Sequence, residues 1–275
     1  EERLTVPGLN AGRADIIVAG LAVVAELVAR VEPADVAASA FGIREGLLLE
    51  TARVVPSISD PGEARARSVR EFAERCHYEE PHARQVQKLA LQLFDSLGPR
   101  LGLDADDRAI LSDAGLLHDV GYHINYEGHH KHSYHLILHA DLLGISPDAQ
   151  VIVAHVARFH RGAAPSRARH REFAQLDQAV RRRVRRLAAI LRIADGFDRG
   201  HVAAVEKTRV RWLERAIRIT PVPATKVRSM RLELWGAARK AQLLERVAGR
   251  PVEIVGPDGK PVRGDLPGDG VTDGE

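Results

Sequence analysis

From Arg13 to Arg30 the apolar positions Ile16, Ile17, Leu21, Val24 and Val28 recur every three or four residues, the spacing of one helix face. Glu32-Pro33 ends that run, because proline cannot continue a helix. Val36 to Phe41 reads as a short buried strand, and Gly42 turns the chain into a second helical run from Ile43 to Val54. Helix, strand and helix without partner strands cannot close a core by themselves. PSISDPG at 56–62 has the composition of a linker. From 63 to 203 the period is helical. Pro81 stands in the first turn of a helix that opens at Glu80, carries Val86, Leu89, Ala90, Leu93, Phe94 and Leu97 on one face, and stops at Gly98-Pro99. Further helices are expected over Asp104–Val120, 131–143, 147–160 and 178–198. After His201 the period falls to two. Val205 to Thr220 and Val227 to Trp235 read as strands, Ala237 to Val247 as a helix, and Pro251 to Val255 as another strand. The Gly-, Pro- and Asp-rich end, 257–275, reads as a flexible tail. The expected fold is mainly α, a helical domain at 63–203 between an incomplete α/β segment at 1–55 and a small α/β domain at 204–256.

Composition narrows the class. Over 275 residues, 45% hydrophobic and 28% charged residues are ordinary for a globular chain and exclude a disordered or fibrous one. One cysteine, Cys76, excludes an internal disulfide and a multi-thiolate metal site, which makes a reducing cytoplasm the expected compartment. The longest apolar stretch, Ile16 to Ala29, contains Glu26 and falls short of the roughly 18 residues that a membrane span needs. The opening Glu1-Glu2-Arg3 lacks the basic start of a signal peptide. The sole methionine is Met230, so the chain reads as a piece of a longer protein.

Eleven of the 13 histidines fall between His77 and His160, and helical spacing aims several of them inward. His82 precedes Val86 by four residues; His118 follows Ala114 by four, with Asp119 beside it; His160 follows Val156 by four; Asp195 follows Leu191 by four. A buried carboxylate needs a positive partner. For Asp195 that is Arg192 or Arg199 in the plainest reading, and a lone inward histidine is ordinarily a hydrogen-bonded core residue. The whole set of His82, His118, Asp119, His132, His160 and Asp195 is satisfied at once by one or two divalent ions, and a nitrogen and oxygen donor set without thiolate suits Mn, Mg, Fe, Ni or Zn.

The order H…HD…D carried by His82, His118-Asp119 and Asp195 resembles the HD phosphohydrolase superfamily, and ILRIADGFDRGH at 190–201 is similar to its last ligand helix. His132 in KHSYHLIL and His160 in ARFHRG stand where two-metal members carry extra histidines. HDVGYHINYEGHHKHSYHLI at 118–137, ARFHRG at 157–162, RADIIVAG at 13–20 and GIREGLLLE at 42–50 together resemble the C-terminal half of the Ppx/GppA family of exopolyphosphatases and pppGpp phosphohydrolases. The HD resemblance implies metals that bind phosphate oxygens and activate a water, with His118 and Asp119 at the catalytic centre. The Ppx/GppA resemblance implies a parent enzyme acting on phosphoanhydrides of inorganic polyphosphate or guanosine pentaphosphate, whose phosphate-cradling loops and catalytic glutamate belong to N-terminal actin-like lobes that this chain does not contain. It also implies that 1–55 is the end of an actin-like lobe otherwise missing from the chain, and that the protein is a homodimer. Arg13 and Arg44 are what could remain here of that lobe's anion cleft.

Charge adds a third signal. Six lysines leave 34 arginines, and Arg158 to Arg192 holds 11 arginines against Glu172 and Asp177. That excess of nine leaves the rest of the chain at −6, since the whole is +3. On the helix at 178–198, Val180, Val184, Leu187 and Leu191 form the buried face, so Arg182, Arg183, Arg185 and Arg186 are expected to project mostly outward. With Arg161, they form either a solvated face or a track for polyphosphate held by counterion release. With aromatics at 4%, single-strand stacking is disfavoured, and no motif for sequence-specific nucleic-acid binding is present. Two alternatives to an enzyme acting as above stay open: a non-catalytic polyphosphate-binding and dimerisation module, and a stand-alone HD phosphohydrolase acting on nucleotides. The absence of a GYP tripeptide after the ligand histidines argues against cyclic-dinucleotide phosphodiesterases.

Overall fold

The structure, a computed structural model, describes residues 3, 6, 9, 11–37, 39, 42–51, 61–225, 227 and 229–262. The chain divides into two compact units, Glu1–Ser57 and Ile58–Glu275. In the first, α1 (Ile17–Val31) and α2 (Ile43–Thr51) are helices as the periodicity predicts. The strand expected from Val36 does not form at Val36, Ala37 or Ser39, and Val36 is exposed; Phe41 lies outside the described residues. No residue of α1 is buried, so its apolar face meets no core of its own unit. Of the expected linker at 56–62, Pro61 and Gly62 open a helix instead, and of the expected tail at 257–275, Pro261 and Val262 form a strand; 52–60 and the residues beyond Val262 lie outside the described residues.

The second unit holds the core. α3 (Pro61–Arg75), α4 (Glu80–Leu97), α5 (Ala105–Leu117), α6 (His129–Leu138), α7 (Pro147–Arg158), the short α8 (Arg171–Gln175) and α9 (Gln178–Gly196) pack their apolar faces together. Starts are set locally. Asp104 caps α5 by accepting from the Asp107 amide at 2.9 Å while Asp107 returns a bond to the Asp104 amide, and Ser146 caps α7 ahead of Pro147. Full burial of Val86, Leu89, Ala90, Leu93 and Leu97 reproduces the face read from the α4 sequence. The core includes Cys76, a buried thiol whose pKa burial raises.

Beyond His201 the chain makes a four-stranded sheet, β1 (Val205–Trp212), β2 (Ile217–Pro223), β3 (Val252–Val255) and β4 (Pro261–Val262), in the order β1-β2-β3-β4. The single strand expected over 205–220 is a hairpin, β1 antiparallel to β2, closed by the Leu213 amide on the Ala216 carbonyl at 2.8 Å. β3 pairs parallel with Ile217–Ile219 only, so the stretch bearing Pro221 and Pro223 has no partner on that side that needs its missing N–H. The parallel crossover is helical: α10 (Arg231–Lys240) and α11 (Gln242–Ala248). This corrects the strand expected at 227–235. Met230, Leu234, Ala237 and Ala241 are buried at helical spacing while Leu232 is exposed, so the true period there is 3.6. Val205, Ile217, Ile219 and Ile254 belong to the same hydrophobic cluster as the helices, which makes the sheet a wall of the helical body. Among the described residues no helix is long and apolar enough to cross a membrane.

Candidate metal centre

Six buried side chains meet where helix ends converge. His82 comes from the first turn of α4, His118 from the end of α5 and Asp119 from the turn after it; His129 opens α6, His160 follows α7, and Asp195 lies near the end of α9. Gly121 makes the meeting of α5 and α6 possible. A Cβ there would stand 2.0 Å from the His129 carbonyl oxygen and 2.6 Å from the Ser133 amide, so only glycine lets the start of α6 come this close. Ser133 locks the contact by accepting from the Gly121 amide at 2.9 Å and donating to the His118 carbonyl at 2.7 Å.

The ring nitrogens are committed in one direction. His118, His129 and His160 each donate Nδ1–H to the carbonyl three residues earlier, at Gly115 (2.8 Å), Tyr126 (2.9 Å) and Ala157 (2.7 Å). His82 Nδ1 bonds Asp198 Oδ2 at 2.8 Å. In a neutral imidazole with Nδ1 donating, Nε2 carries only a lone pair. These lone pairs face one another and the carboxylates: His82 and His118 Nε2 lie 3.3 Å apart, and they are 3.6 and 3.4 Å from Asp119 Oδ2. His129 and His160 Nε2 lie 3.1 and 3.4 Å from Asp119 Oδ1, a buried oxygen without a hydrogen-bond donor. His82 Nε2 is 3.8 Å from Asp195 Oδ1.

Lone pair facing lone pair is repulsive unless positive charge lies between. A second proton serves poorly at His118 and His160, whose pKa values burial pushes down, at His160 far below the ordinary imidazole value. At His82 burial also opposes charge, but the Asp198 bond and the charges of Asp195 and Asp119 outweigh it and raise the pKa. An imidazolium there relieves its own contacts and leaves His129 and His160 still facing Asp119. Burial raises the Asp119 pKa, and only positive charge among His118, His129 and His160 brings it well below the usual value, so with His118 and His160 neutral an ionised Asp119 calls for a cation beside it. The donor atoms fall into two triads, His82, His118 and Asp195, and Asp119, His129 and His160, with the atoms of each within 4.8 Å of one another. Asp119 turns one oxygen toward each triad's histidines. Nitrogen and oxygen donors, oriented by a second layer of carbonyls and Asp198, fit a divalent cation.

The structure brings together five of the six expected ligand residues, with His129 in place of His132. The buried stripe of α6 is His129, Ser133 and Ile137, at four-residue steps; His132 is only partly buried off that stripe. The string HHKH leaves the choice undecided, and the start of α6, which sequence reading placed at 131 rather than 129, decides it. Neither Arg192 nor Arg199 is the ion-pair partner of Asp195: Lys240 of α10 is, and together with buried His160 and His118 it lowers the Asp195 pKa against the effect of burial. Lys240 sits in the expected α/β domain and carried no sequence signal. Gly196 and Gly236 explain its reach: a Cβ on Gly236 would stand 2.6 Å from the Gly196 carbonyl, so α9 and α10 cross backbone to backbone and place Lys240, one turn on, against Asp195. Tyr122 packs on His129 with ring centroids 4.0 Å apart, and His201 stacks on His82 at 3.7 Å.

Of the expected anion-binding arginines, Arg161 reaches the centre, its Nη1 3.4 Å from His129 Nε2. The expected outward row on α9 is only partly exposed. Arg183 pairs with buried Asp107 at 2.8 Å, Arg185 lies over Phe173 at 5.0 Å and Arg186 is half-buried, leaving Arg182 exposed. Arg13 and Arg44 are exposed in the first unit.

Residues 64–234 match the sequence profile of Ppx/GppA phosphatase, domain III. The chain belongs to the Ppx/GppA phosphatase family. All six converging residues lie inside the matched segment, and Lys240 lies just past it. Curated relatives include guanosine-5'-triphosphate,3'-diphosphate pyrophosphatases. That of Pseudoalteromonas atlantica is 28% identical over 144 residues, 52% of this chain and 28% of the relative. Those of Pseudoalteromonas translucida and Vibrio campbellii are 27% and 26% identical, each across 58% of this chain and 31% and 32% of their own lengths. The chain thus spans less than a third of these Ppx/GppA relatives.

Proposed function

We propose that domain III of this Ppx/GppA chain holds a two-metal HD-type centre and serves a phosphohydrolase acting on phosphoanhydrides, of guanosine pentaphosphate or of inorganic polyphosphate. The observation that carries the reading is the convergence of four Nε2 atoms on two carboxylates with every Nδ1–H already used, Arg161 being the side-chain donor near His129 Nε2. His82, His118 and Asp195 would hold one ion and His129, His160 and Asp119 the other, with the second Asp119 oxygen facing His82 and His118. A divalent ion supplies Lewis acidity toward a phosphate oxygen and toward water. The chain's own residues supply the frame. Asp198 and the three carbonyls fix the ring orientations, Ser133 holds the α5–α6 junction, and Arg161 offers a guanidinium beside His129 for an incoming phosphate oxygen. The names of the relatives support a guanosine nucleotide as substrate. Residues 1–55, with Arg13 and Arg44, are assigned to the end of the family's actin-like lobe, which accords with the outward apolar side chains of α1, such as Leu21 and Leu27.

The test is metal analysis of the purified chain prepared without chelator, by emission spectroscopy, on wild type, His129→Ala and His132→Ala. About one or two equivalents are expected in the wild type and in His132→Ala, and clearly less in His129→Ala. Below about a tenth of an equivalent, with no uptake of added Mn²⁺ or Zn²⁺, the centre is a hydrogen-bonded core cluster.

A further inference from the structure

Of the phenylalanine, tyrosine and tryptophan side chains among the described residues, only Tyr126 is exposed, and it is 72% so. Ile124, two residues before it, is 54% exposed. Both stand in the segment between Gly121 and the start of α6, which also holds Tyr122, so two of the chain's four tyrosines fall within five residues. The rings form a ladder from solvent to the centre. Tyr126 lies 5.5 Å from Tyr122, Tyr122 lies 4.0 Å from His129, and His129 lies 5.5 Å from His160, centroid to centroid. Tyr126 itself is 6.1 Å from His129. An apolar, aromatic surface left in water at this one place, in contact with candidate metal ligands, is the kind that a bound molecule covers.

The segment is held rigidly. The Ile124 and Asn125 amides donate to the Gly121 carbonyl at 3.0 and 3.2 Å, and Asn125 Oδ1 accepts from the Glu127 amide at 3.2 Å. The bond that orients His129, its Nδ1–H to the Tyr126 carbonyl at 2.9 Å, also fixes the backbone that presents the Tyr126 ring. A rigid tyrosine offers a large flat contact at low entropic cost. Arg161 stands beside the same histidine, 3.4 Å from its Nε2. A cation for a phosphate oxygen and an aromatic face for a planar group thus flank one ligand. An inorganic phosphate chain has no use for the second, because the face of an aromatic ring carries negative charge density and repels anions.

We propose that the segment at 122–126 is a nucleobase platform: the Tyr126 ring, backed by Tyr122, stacks the base of a nucleotide whose phosphate is presented at the centre, and so favours nucleoside oligophosphates over inorganic ones. The place of the phosphate rests on the metal reading above; the stacking of the base does not. Every base has a π-face, so the platform selects for a base without choosing among bases.

Calorimetric titration of the full chain with GTP and with inorganic tripolyphosphate tests this, since the two share a triphosphate chain and differ in the nucleoside. Metal content is measured on the same samples. Tyr126→Ala removes the exposed ring and keeps the carbonyl that holds His129; Tyr126→Phe keeps the ring. GTP should bind the wild type about tenfold more tightly than tripolyphosphate, the size expected for one base on an aromatic face. That preference should vanish in Tyr126→Ala and persist in Tyr126→Phe, with tripolyphosphate affinity and metal content alike in all three proteins. Equal affinities in the wild type, no binding of GTP, a preference that survives Tyr126→Ala, or one lost equally in Tyr126→Phe overturns the platform and leaves the metal reading to its own test. Wild-type chain that is free of metal, yet prefers GTP and loses that preference in Tyr126→Ala, sinks the metal reading and leaves the platform standing.

Discussion

At the residue scale, one rule separates the histidines of this chain: where Nδ1–H goes decides what Nε2 can do. His155 obeys the same rule outside the centre. Its Nδ1 bonds the Val151 carbonyl at 2.9 Å, and its buried Nε2 has no partner inside a box of Tyr134, Phe159 and Phe173. Burial lowers its pKa below the ordinary 6.5, modulated by Arg158, Glu172 and His170 around it. The folded state therefore refuses a proton that the unfolded state accepts. Stability is full above 6.5 and is lost as pH falls from there toward the depressed folded value, by up to about 1.4 kcal/mol per pH unit for one proton. His118 and His160 add to the same acid limb, so the comparison must be differential. In thermal melts from pH 7.5 to 5, His155→Phe, which keeps a ring and removes the proton acceptor, should lose less melting temperature than wild type. Parallel curves would put the titration elsewhere. Sequence reading had no hold on this histidine, whose environment is made by aromatic side chains of three different elements.

At the element scale, α9 shows why an arginine row is a poor guide to a binding face. Helical periodicity correctly separated Val184, Leu187 and Leu191 from the arginines, because a helix has one face to bury. It could not tell which arginines the neighbouring elements would claim. Arg183 neutralises Asp107, a carboxylate 2% exposed that also caps α5, and Arg181 donates to the carbonyls of Ala174 and Leu176. Removing a guanidinium from a buried carboxylate leaves an unpaired charge. Arg183→Gln should therefore lower unfolding free energy by about 1–3 kcal/mol in urea titrations, whereas Arg182→Gln should stay within about 0.5 kcal/mol. If the two variants unfold alike, Asp107 is satisfied by its capping bonds and Arg183 returns to the solvent-facing set.

At the scale of the whole molecule, the candidate metal centre draws its residues from the ends of five helices of the body, α4, α5, α6, α7 and α9, so a bound ion would tie those elements into one cooperative unit. An ion that binds only this folded arrangement stabilises it by mass action, about 2.7 kcal/mol at a hundredfold excess over its dissociation constant. For a body of this size, that corresponds to roughly 5–10 °C. Differential scanning calorimetry of the full chain should show that loss on chelation and its recovery on adding back Mn²⁺ or Zn²⁺. Asp119→Asn should show neither, since Asp119 faces both triads. A chelator-independent transition in the wild type would remove metal from the energetics of the fold.

The sequence alone was enough for α4, α5, α6, α7 and α9 of the body, though not for α3 and α8, and for five of the six residues that converge, because both follow from short-range patterns. A 3.6 period names a buried face, and polar residues on such a face must find partners inside. It also separated a helical region from the strands after His201. What it left open needed distances between segments far apart in the chain. The choice of His129 over His132 depended on a two-residue shift in the start of α6, set by the close approach at Gly121. The helix at Arg231–Lys240 in place of a strand depended on Met230, Leu234 and Ala237 having helices to pack against. The pairing of Lys240 with Asp195 depended on two glycines 40 residues apart that let α9 and α10 touch, a contact that no local pattern encodes.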